Sequence, residues 1–147
     1  MPFPGNELRI LLAKHLAAEN AHDLDAVLST LHPDCVFEDL ATGQTWRGHA
    51  GAASHYRQWW DAFDVAVEPR PEGRSRWCDD GTYVGEARFV GTHRAPIFGV
   101  AATERHLDLP FVVLVGFRDG LMASERFYYD GAALLRQIGV PVPKLEP

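Results

Sequence analysis

Apolar and polar positions alternate most regularly near the carboxyl end of the chain. An apolar run over 111–115 leads into Asp119-Gly120, a dipeptide typical of tight hairpin turns, and a second strand is predicted over 121–129. Side chains alternate along a strand, so the odd positions of both strands share one face, with residues 117 and 121 flanking the turn on it. That face is apolar except for Glu125. The pattern therefore predicts one carboxylate in an otherwise apolar row.

The rest of the chain divides into helical and extended segments. Asp130 is expected to N-cap a short helix over 131–138 that Gly139 ends. Asn6 and Asp23 are expected to cap two earlier helices, and Pro33 to stop the second. The third helix carries a buried stripe of Ala52, Tyr56, Trp59 and Phe63. The predicted helices are 6–21, 24–31 and 48–63, the strands 35–39, 64–70, 74–78 and 82–91, and the turns 41–44, 71–73 and 79–81, with a loop over 92–102.

This order of elements predicts an α+β fold. Helices come first and gather on one face of a strongly curved antiparallel sheet, which encloses an internal pocket. The chain is expected to form a single domain over residues 1–147, with its core at about 7–139 and a proline-rich tail at 140–147.

Composition excludes several classes of function. The net charge of −6 and the lack of a basic stripe argue against nucleic-acid binding. No apolar stretch is long enough to span a membrane, and the first residues lack the pattern of a signal peptide. Cys35 and Cys78 form neither a disulfide framework nor a metal-binding motif, which favours a cytoplasmic setting. The seven histidines include no H-E-x-x-H motif, so no metal and no cofactor are expected.

Three side chains are candidates for catalysis. Glu125 could act as a general base whose pKa burial raises; the alternatives are a slipped register that exposes it, or an ion pair with Arg105 or Arg88. Asp39 could relay protons at the pocket or cap the turn after its strand. His15, on the buried face of the first helix, could donate to a substrate oxygen or be a packed, singly hydrogen-bonded core residue.

Aromatic and apolar side chains on the predicted inner faces are expected to hold a hydrophobic small molecule. His93, Glu104 and His106 lie near the irregular loop and could line the pocket mouth. Tyr129 could also donate its hydroxyl to a ligand oxygen. The predicted substrate-binding residues are Phe37, Tyr56, Trp59, Tyr83, Phe89, His106, Val113, Phe127 and Tyr129.

Two segments carry a resemblance to known proteins. The opening HLAAENAHDLDAVLSTLHPDCVFED resembles the start of proteins of the nuclear transport factor 2-like superfamily. The segment GTHRAPIFGVAATERHLDLPFVVLVGFRDGLMASERFYYDGAALLRQIG resembles the second half of SnoaL-like polyketide cyclases, also called ester cyclases. The resemblance covers about 8–139. It implies a cone-shaped fold with a deep pocket, and a homodimer formed through the sheet.

The same resemblance assigns positions to catalytic groups. The cyclases carry an acid/base Asp directly after an Arg in the last strand; here Arg126 is followed by Phe127. Their His in the preceding strand corresponds to Val113. In the ketosteroid isomerases of the superfamily, the base corresponds to Asp39, the first-helix phenol to His15 and a second acid to Val113. The chain thus departs from each complete catalytic set.

Taken together, the sequence predicts a cofactor-free enzyme for a hydrophobic, carbonyl-containing small molecule. Proton abstraction beside the carbonyl would give an enolate that cyclises, isomerises or eliminates. The alternative is a non-catalytic binding protein, which the apolar residues at Val113 and Phe127 favour. Convergence of ionisable side chains inside the cavity would distinguish the two.

Overall fold

The computed structural model describes residues 5–70 and 74–147, so the predicted turn at 71–73 lies outside the described residues. The chain forms helices α1 (Asn6–Asn20), α2 (Leu24–Leu28), α3 (Gly48–Phe63) and α4 (Gly131–Gln137). Its strands are β1 (Leu31–Asp39), β2 (Thr45–Arg47), β3 (Ala66–Pro69), β4 (Ser75–Trp77), β5 (Tyr83–Thr92), β6 (His106–Arg118) and β7 (Leu121–Tyr129). The predicted α+β class, with its helices before most of the sheet, is confirmed.

The sheet is curved and does not close on itself. Its strand order is β2-β1-β7-β6-β5-β3, and β4 also pairs with β5. Neighbours run antiparallel except β1 and β7, which are parallel. The predicted curved antiparallel sheet is confirmed, and β1/β7 is its one parallel pair among the described strands. No hairpin joins β1 to β7, so nothing requires them to run in opposite directions.

The β6–β7 hairpin departs from the predicted register beside its turn. Asp119 and Gly120 both have positive φ, as a two-residue hairpin loop requires. Phe117 therefore pairs with Met122 rather than with residue 121. A bulge after Gly116 then brings odd positions opposite each other again, and Val115 pairs with Glu125. Met122 is 1% exposed, although the alternation had placed it on the solvated face. The inward orientation of Glu125, 5% exposed, is confirmed.

Several element boundaries differ from the prediction at the amino-terminal end. Gly5 is the N-cap residue of α1, and no side chain caps that helix. Helix α2 ends at Leu28 because the chain already joins the sheet at Leu31, which pairs with Met122. Strand β1 is irregular between Leu31 and Val36, where it accommodates Pro33.

The predicted caps at Asp23 and Asp130 and the third helix are confirmed. Asp23 and Asp130 accept hydrogen bonds from the main-chain N–H groups of Ala26 and Ala133, at the starts of α2 and α4. Helix α3 has the predicted bounds, and its apolar stripe packs into a core of aromatic side chains between α3 and the sheet. Asp64, in the left-handed conformation, ends it. In the described ranges no helix is long and apolar enough to cross a membrane.

Candidate active site

A cavity of about 290 Å³ lies between α1 and the concave face formed by β5, β6 and β7. Its walls are mainly apolar and rich in aromatic rings. The Phe89 and Phe111 rings stack with centroids 3.9 Å apart and form one side of it. Four predicted substrate-binding residues are in the lining: Tyr83, Phe89, Val113 and Phe127. The pocket that the α+β plan predicted is therefore present, on the α1 side of the sheet.

Three ionisable side chains converge in the wall of this cavity. His15 Nε2 lies 3.5 Å from Glu125 Oε1 and 3.7 Å from Glu19 Oε2. Glu19 shares the face of α1 with His15 because it is one turn further along the helix. Glu125 reaches the same point from β7. Two carboxyl groups and one imidazole thus face an apolar space, which is the arrangement that proton-transfer chemistry requires.

Hydrogen bonds fix the tautomer of His15. The Thr30 hydroxyl donates to the main-chain oxygen of Val27 at 2.6 Å, so toward His15 it can only accept. His15 Nδ1 is 2.7 Å from that hydroxyl and must carry the proton. Nε2 is then the acceptor, and the Tyr56 hydroxyl donates to it at 3.1 Å. The lone pair of Nε2 therefore points toward Tyr56 and the two carboxyl groups.

Burial shifts the pKa of each group in the cluster toward its neutral form. It lowers the pKa of His15 to about 4 and raises the pKa of Glu19 to about 7. Burial raises the pKa of Glu125 well above its usual range, and the nearby Glu19 charge adds to the shift. Burial therefore favours uncharged His15 and the protonated form of Glu125, and at neutral pH Glu19 lies near the midpoint of its titration.

Asp39 lies outside this cavity, and its position answers the question that its sequence context left open. Its Oδ1 accepts hydrogen bonds from the N–H groups of Ala41 and Thr42, as in a turn-capping residue. Its Oδ2 accepts a hydrogen bond of 2.7 Å from the Tyr129 hydroxyl. Because both oxygens are engaged in holding the turn after β1, Asp39 is not positioned to act on a ligand in the cavity.

The other predicted binding residues divide between a second layer and the surface. Tyr56 holds His15, Trp59 stacks behind Phe89 at 5.0 Å, and Phe37 packs edge-on against Phe127. Tyr129 is committed to Asp39. Trp59, Phe37 and Tyr129 were expected in the cavity wall, but they fill the core because helix α3 covers that part of the sheet.

None of the three residues predicted for the pocket mouth is in the cavity lining. His106 is exposed at the start of β6, outside the cavity lining, and Glu104 is exposed before it. His93 is fully buried, and its Nδ1 hydrogen-bonds the Thr103 hydroxyl. Leu16 of α1 does line the cavity and is 40% exposed.

Glu19 and Thr30 are the residues of the site that sequence reasoning missed. The spacing of Glu19 from His15, i and i+4 on a helix, was a usable signal for a shared face. Thr30 gave no signal, because it lies in the short connection between α2 and β1. Within the described part of the chain, no group of three or more His, Cys, Asp or Glu side chains could hold a metal ion.

Solved structures of other proteins share this architecture. A candidate polyketide cyclase from Jannaschia sp. CCS1 is 20% identical, with a TM-score of 0.81 over 97% of each chain. A candidate polyketide cyclase from Xanthomonas campestris pv. campestris is 22% identical, with a TM-score of 0.79 over 91% of this chain and 98% of its own. A protein from Catenulispora acidiphila DSM 44928 in complex with trimethylamine is 20% identical, with a TM-score of 0.72 over 89% of this chain and 93% of its own. It has a ketosteroid isomerase-like fold, and that is the structural class of this chain.

The family assignment is narrower than the fold class. The model of the SnoaL-like polyketide cyclase family matches residues 9–138. The chain therefore belongs to the SnoaL-like polyketide cyclase family, as the resemblance of its two segments implied. Among curated proteins, no sequence match was found.

Proposed function

We propose that this protein is a cofactor-free enzyme that performs acid/base chemistry on a hydrophobic, carbonyl-containing small molecule, such as cyclisation of a polyketide or isomerisation. One observation carries the proposal: Glu125, Glu19 and neutral His15 meet in the wall of an otherwise apolar cavity. Pairs of titratable groups with shifted pKa values are typical of proton-transfer sites. Membership of the SnoaL-like family supports the same class of reaction.

The chemistry begins with a proton on the carbon next to the substrate carbonyl. Glu125, in its ionised form, takes this proton, and the electron pair of the broken C–H bond moves onto the carbonyl oxygen as an enolate. In cyclisation, the enolate carbon then attacks a second carbonyl of the same substrate, and the new alkoxide takes the proton back from Glu125. In isomerisation, Glu125 returns its proton to a different carbon. Burial makes Glu125 a stronger base once it has ionised.

His15 and Glu19 are the other two groups that can accept or donate a proton in this site. With its Nδ1 proton committed to Thr30, His15 presents only the lone pair of Nε2 toward Glu125. It therefore accepts a proton rather than donating one while it is neutral. Glu19, with a pKa of about 7, is able both to hold and to release a proton near neutral pH. In its protonated form it can donate a hydrogen bond to the enolate oxygen.

The apolar wall supplies orientation and excludes water. Phe111, Phe127 and their neighbours would hold a folded substrate so that its reacting carbons meet, which lowers the entropic part of the barrier. A protein of the same fold, from Catenulispora acidiphila, was solved with trimethylamine. That complex supports a small organic ligand for the cavity of this chain.

Hydrogen–deuterium exchange tests the proposal without knowledge of the natural product. A bicyclic ketone such as 2-tetralone is incubated with the protein in D2O, and deuterium uptake beside the carbonyl is followed by NMR. Wild-type protein is expected to accelerate exchange, and Glu125→Gln to abolish the acceleration, because the amide cannot take the proton. Glu38→Gln is the matched control. Glu38 neighbours Phe37, the β1 partner of Glu125, and lies on the other face of the sheet.

The outcome of this experiment is clear in both directions. Exchange at equal rates in wild type and folded Glu125→Gln removes Glu125 as the base. A panel of ketones with no acceleration in wild type favours the second candidate function, a non-catalytic binding protein. The apolar pair Val113 and Phe127, opposite each other on β6 and β7, favours that candidate, because these positions carry the His and Asp of the cyclases that the chain resembles.

A homodimer formed through the outer face of the sheet belongs to the same proposal. That face carries half-buried Val84, Val112 and Leu114 beside Tyr128, which is 42% exposed. An exposed aromatic residue among aliphatic side chains is typical of protein interfaces. Light scattering with size-exclusion chromatography tests it: Tyr128→Arg is expected to shift a dimer to a monomer. Cys35 and Cys78 are both free thiols, which supports a cytoplasmic location.

A further inference from the structure

We propose that the cavity selects ligands that join an apolar body to a protonated amine, and that the carboxyl groups of Glu19 and Glu125 bind this amine. The inference deepens the proposed function, and it rests on it in taking the cavity as the substrate site. It assigns the charge of the ligand, which the acid/base chemistry alone leaves open.

The first argument is that both carboxyl groups lack partners. The carboxyl groups of Glu19 and Glu125 make no hydrogen bond to any residue in 5–70 or 74–147. His15 Nε2 lies 3.7 Å from Glu19 and 3.5 Å from Glu125, which is beyond ordinary hydrogen-bond distance. Glu125 is only 5% exposed, and both carboxyl groups line the cavity. A buried polar group in this state is costly, and a donor on a ligand would relieve the cost.

The second argument is the charge of the wall. Among the described residues that line the cavity there is no Lys or Arg. The third acid there, Glu86, differs from the other two, because Arg76 lies 3.6 Å from it and the Arg74 N–H donates to it. The uncompensated acids are therefore Glu19 and Glu125. A carboxylate ligand would meet them with no cation to offset its own desolvation.

The third argument is that no neighbouring side chain offers a free donor to the carboxyl groups of Glu19 and Glu125 once these have ionised. The groups that face Glu125 are His15 and Glu19 from α1, Tyr56 from α3 and Cys35 from β1. The Tyr56 hydroxyl and the His15 Nδ1–H are already donated, to His15 Nε2 and to Thr30. An ammonium group brings donors and a positive charge together. The nearby rings of Phe89, Phe111 and Phe127 favour a cation further through their π faces.

Amine binding should therefore release a proton. Below the pKa of Glu19, about 7, the empty site holds its carboxyl groups mainly in the neutral form. An ammonium ion favours the ionised form, so one carboxyl gives its proton to the buffer as the ligand enters. A neutral ligand of the same shape has no such effect.

Isothermal titration calorimetry with three matched probes tests the inference: phenethylamine, phenethyl alcohol and 3-phenylpropanoate. At pH 6 the amine is expected to bind about tenfold more tightly than the alcohol, as for a hydrogen bond to a charged group, and the carboxylate most weakly. Titrations in phosphate and in imidazole, which differ in ionisation enthalpy, count the protons. The amine is expected to release close to one proton, and the alcohol none.

Variants show which carboxyl group causes the preference for the amine over the alcohol. Glu19→Gln is expected to lose most of the preference for amine over alcohol, and Glu38→Gln to keep it. Equal affinities of amine and alcohol for the wild-type protein overturn the inference. If Glu19→Gln does not fold, the proton count on wild type decides, and the absence of proton release overturns the inference.

The two proposals can fail separately. A preference for the amine without any ketone exchange in D2O removes the enzyme and keeps the amine site. Ketone exchange that depends on Glu125, without preference for the amine, keeps the enzyme and removes the amine site.

Discussion

His15 Nε2 and Glu125 Oε1 are 3.5 Å apart, and this contact joins the first helix to the last strand. The imidazole is held from its other side by Thr30, so the distance is set by the packing of α1 on the sheet. Glu125 in turn is fixed by its pairing with Val115 of β6 and Phe37 of β1. The geometry of the candidate site is therefore a property of the whole fold, and changes to either support have measurable effects.

Thr30→Val removes the acceptor of His15 Nδ1–H while keeping the shape of the side chain. A buried N–H left without a partner costs about 1–3 kcal/mol, so the free energy of unfolding is expected to fall by that amount. Urea denaturation followed by circular dichroism measures it. Thr45→Val, on exposed strand β2, is the control and is expected to change stability little. Similar stabilities of both variants would contradict the assigned tautomer.

Glu19→Gln is expected to reduce the pH dependence of stability. The pKa of Glu19 is raised from 4.5 to about 7, so the native state favours the protonated form. That contribution is fully present below pH 4.5 and is lost as the pH rises to about 7, at a cost of about 3 kcal/mol. Between pH 5 and pH 8, wild type should therefore lose more stability than Glu19→Gln.

Denaturation at both pH values gives the comparison. The pKa of His15, which burial lowers to about 4, gives the opposite dependence, with stability lost as the pH falls from 6.5 toward 4. It is common to both proteins and largely cancels in the difference. Parallel stability curves for the two proteins would show that Glu19 is not buried in its neutral form.

Val113→Phe is expected to fill the cavity. Val113 lines it, whereas its neighbour Val112 faces the other side of the sheet, so Val112→Phe is a matched control of equal volume. The first variant should lose binding of phenethylamine by about tenfold or more, as expected when ligand atoms lose their space. The second should bind like wild type. Calorimetry measures both, and equal loss in the two variants would argue for a binding site elsewhere.

Asp39→Ala is expected to separate stability from activity. It removes the acceptor of two turn N–H groups and of Tyr129, and each lost bond costs about 1 kcal/mol. The rate of ketone exchange per folded molecule should stay at the wild-type value, because Asp39 does not line the cavity. Tyr129→Phe, which loses a single hydrogen bond, should show a smaller drop in stability. A loss of exchange in folded Asp39→Ala would restore Asp39 as a catalytic residue.

Local chemistry explains why some elements could be predicted from the sequence. Asp130 caps α4 because a carboxylate next to a free N–H is favourable wherever the helix lies. The inward position of Glu125 follows from the alternation of side chains along the part of β7 beyond the bulge. The bulge beside the hairpin turn was not predictable in this way, and it alone moved Met122 to the buried face.

The position of the cavity could not be predicted from periodicity. Trp59 and Tyr56 have the same helical spacing as residues of a cavity wall, yet they lie where α3 packs tightly on the sheet. Phe111 and Phe127 face a gap, because α1 approaches the sheet elsewhere. Whether an inward aromatic ring meets another side chain or open space depends on how helices are seated on the strands. Asp39 illustrates the same limit, since the end of a strand serves equally well as a cavity rim or as a turn cap.

The parallel pairing of β1 with β7 has a consequence for folding. Strand β7 fills the gap between β1 and β6, so the middle of the sheet is completed only after the other described strands have been synthesised. Until then β1 and β6 each present a row of unpaired main-chain groups, and contacts between distant parts of a chain form slowly. Fragments that end before residue 121 should therefore aggregate through these edges, and the carboxyl group of Glu125 reaches His15 only when the sheet is whole.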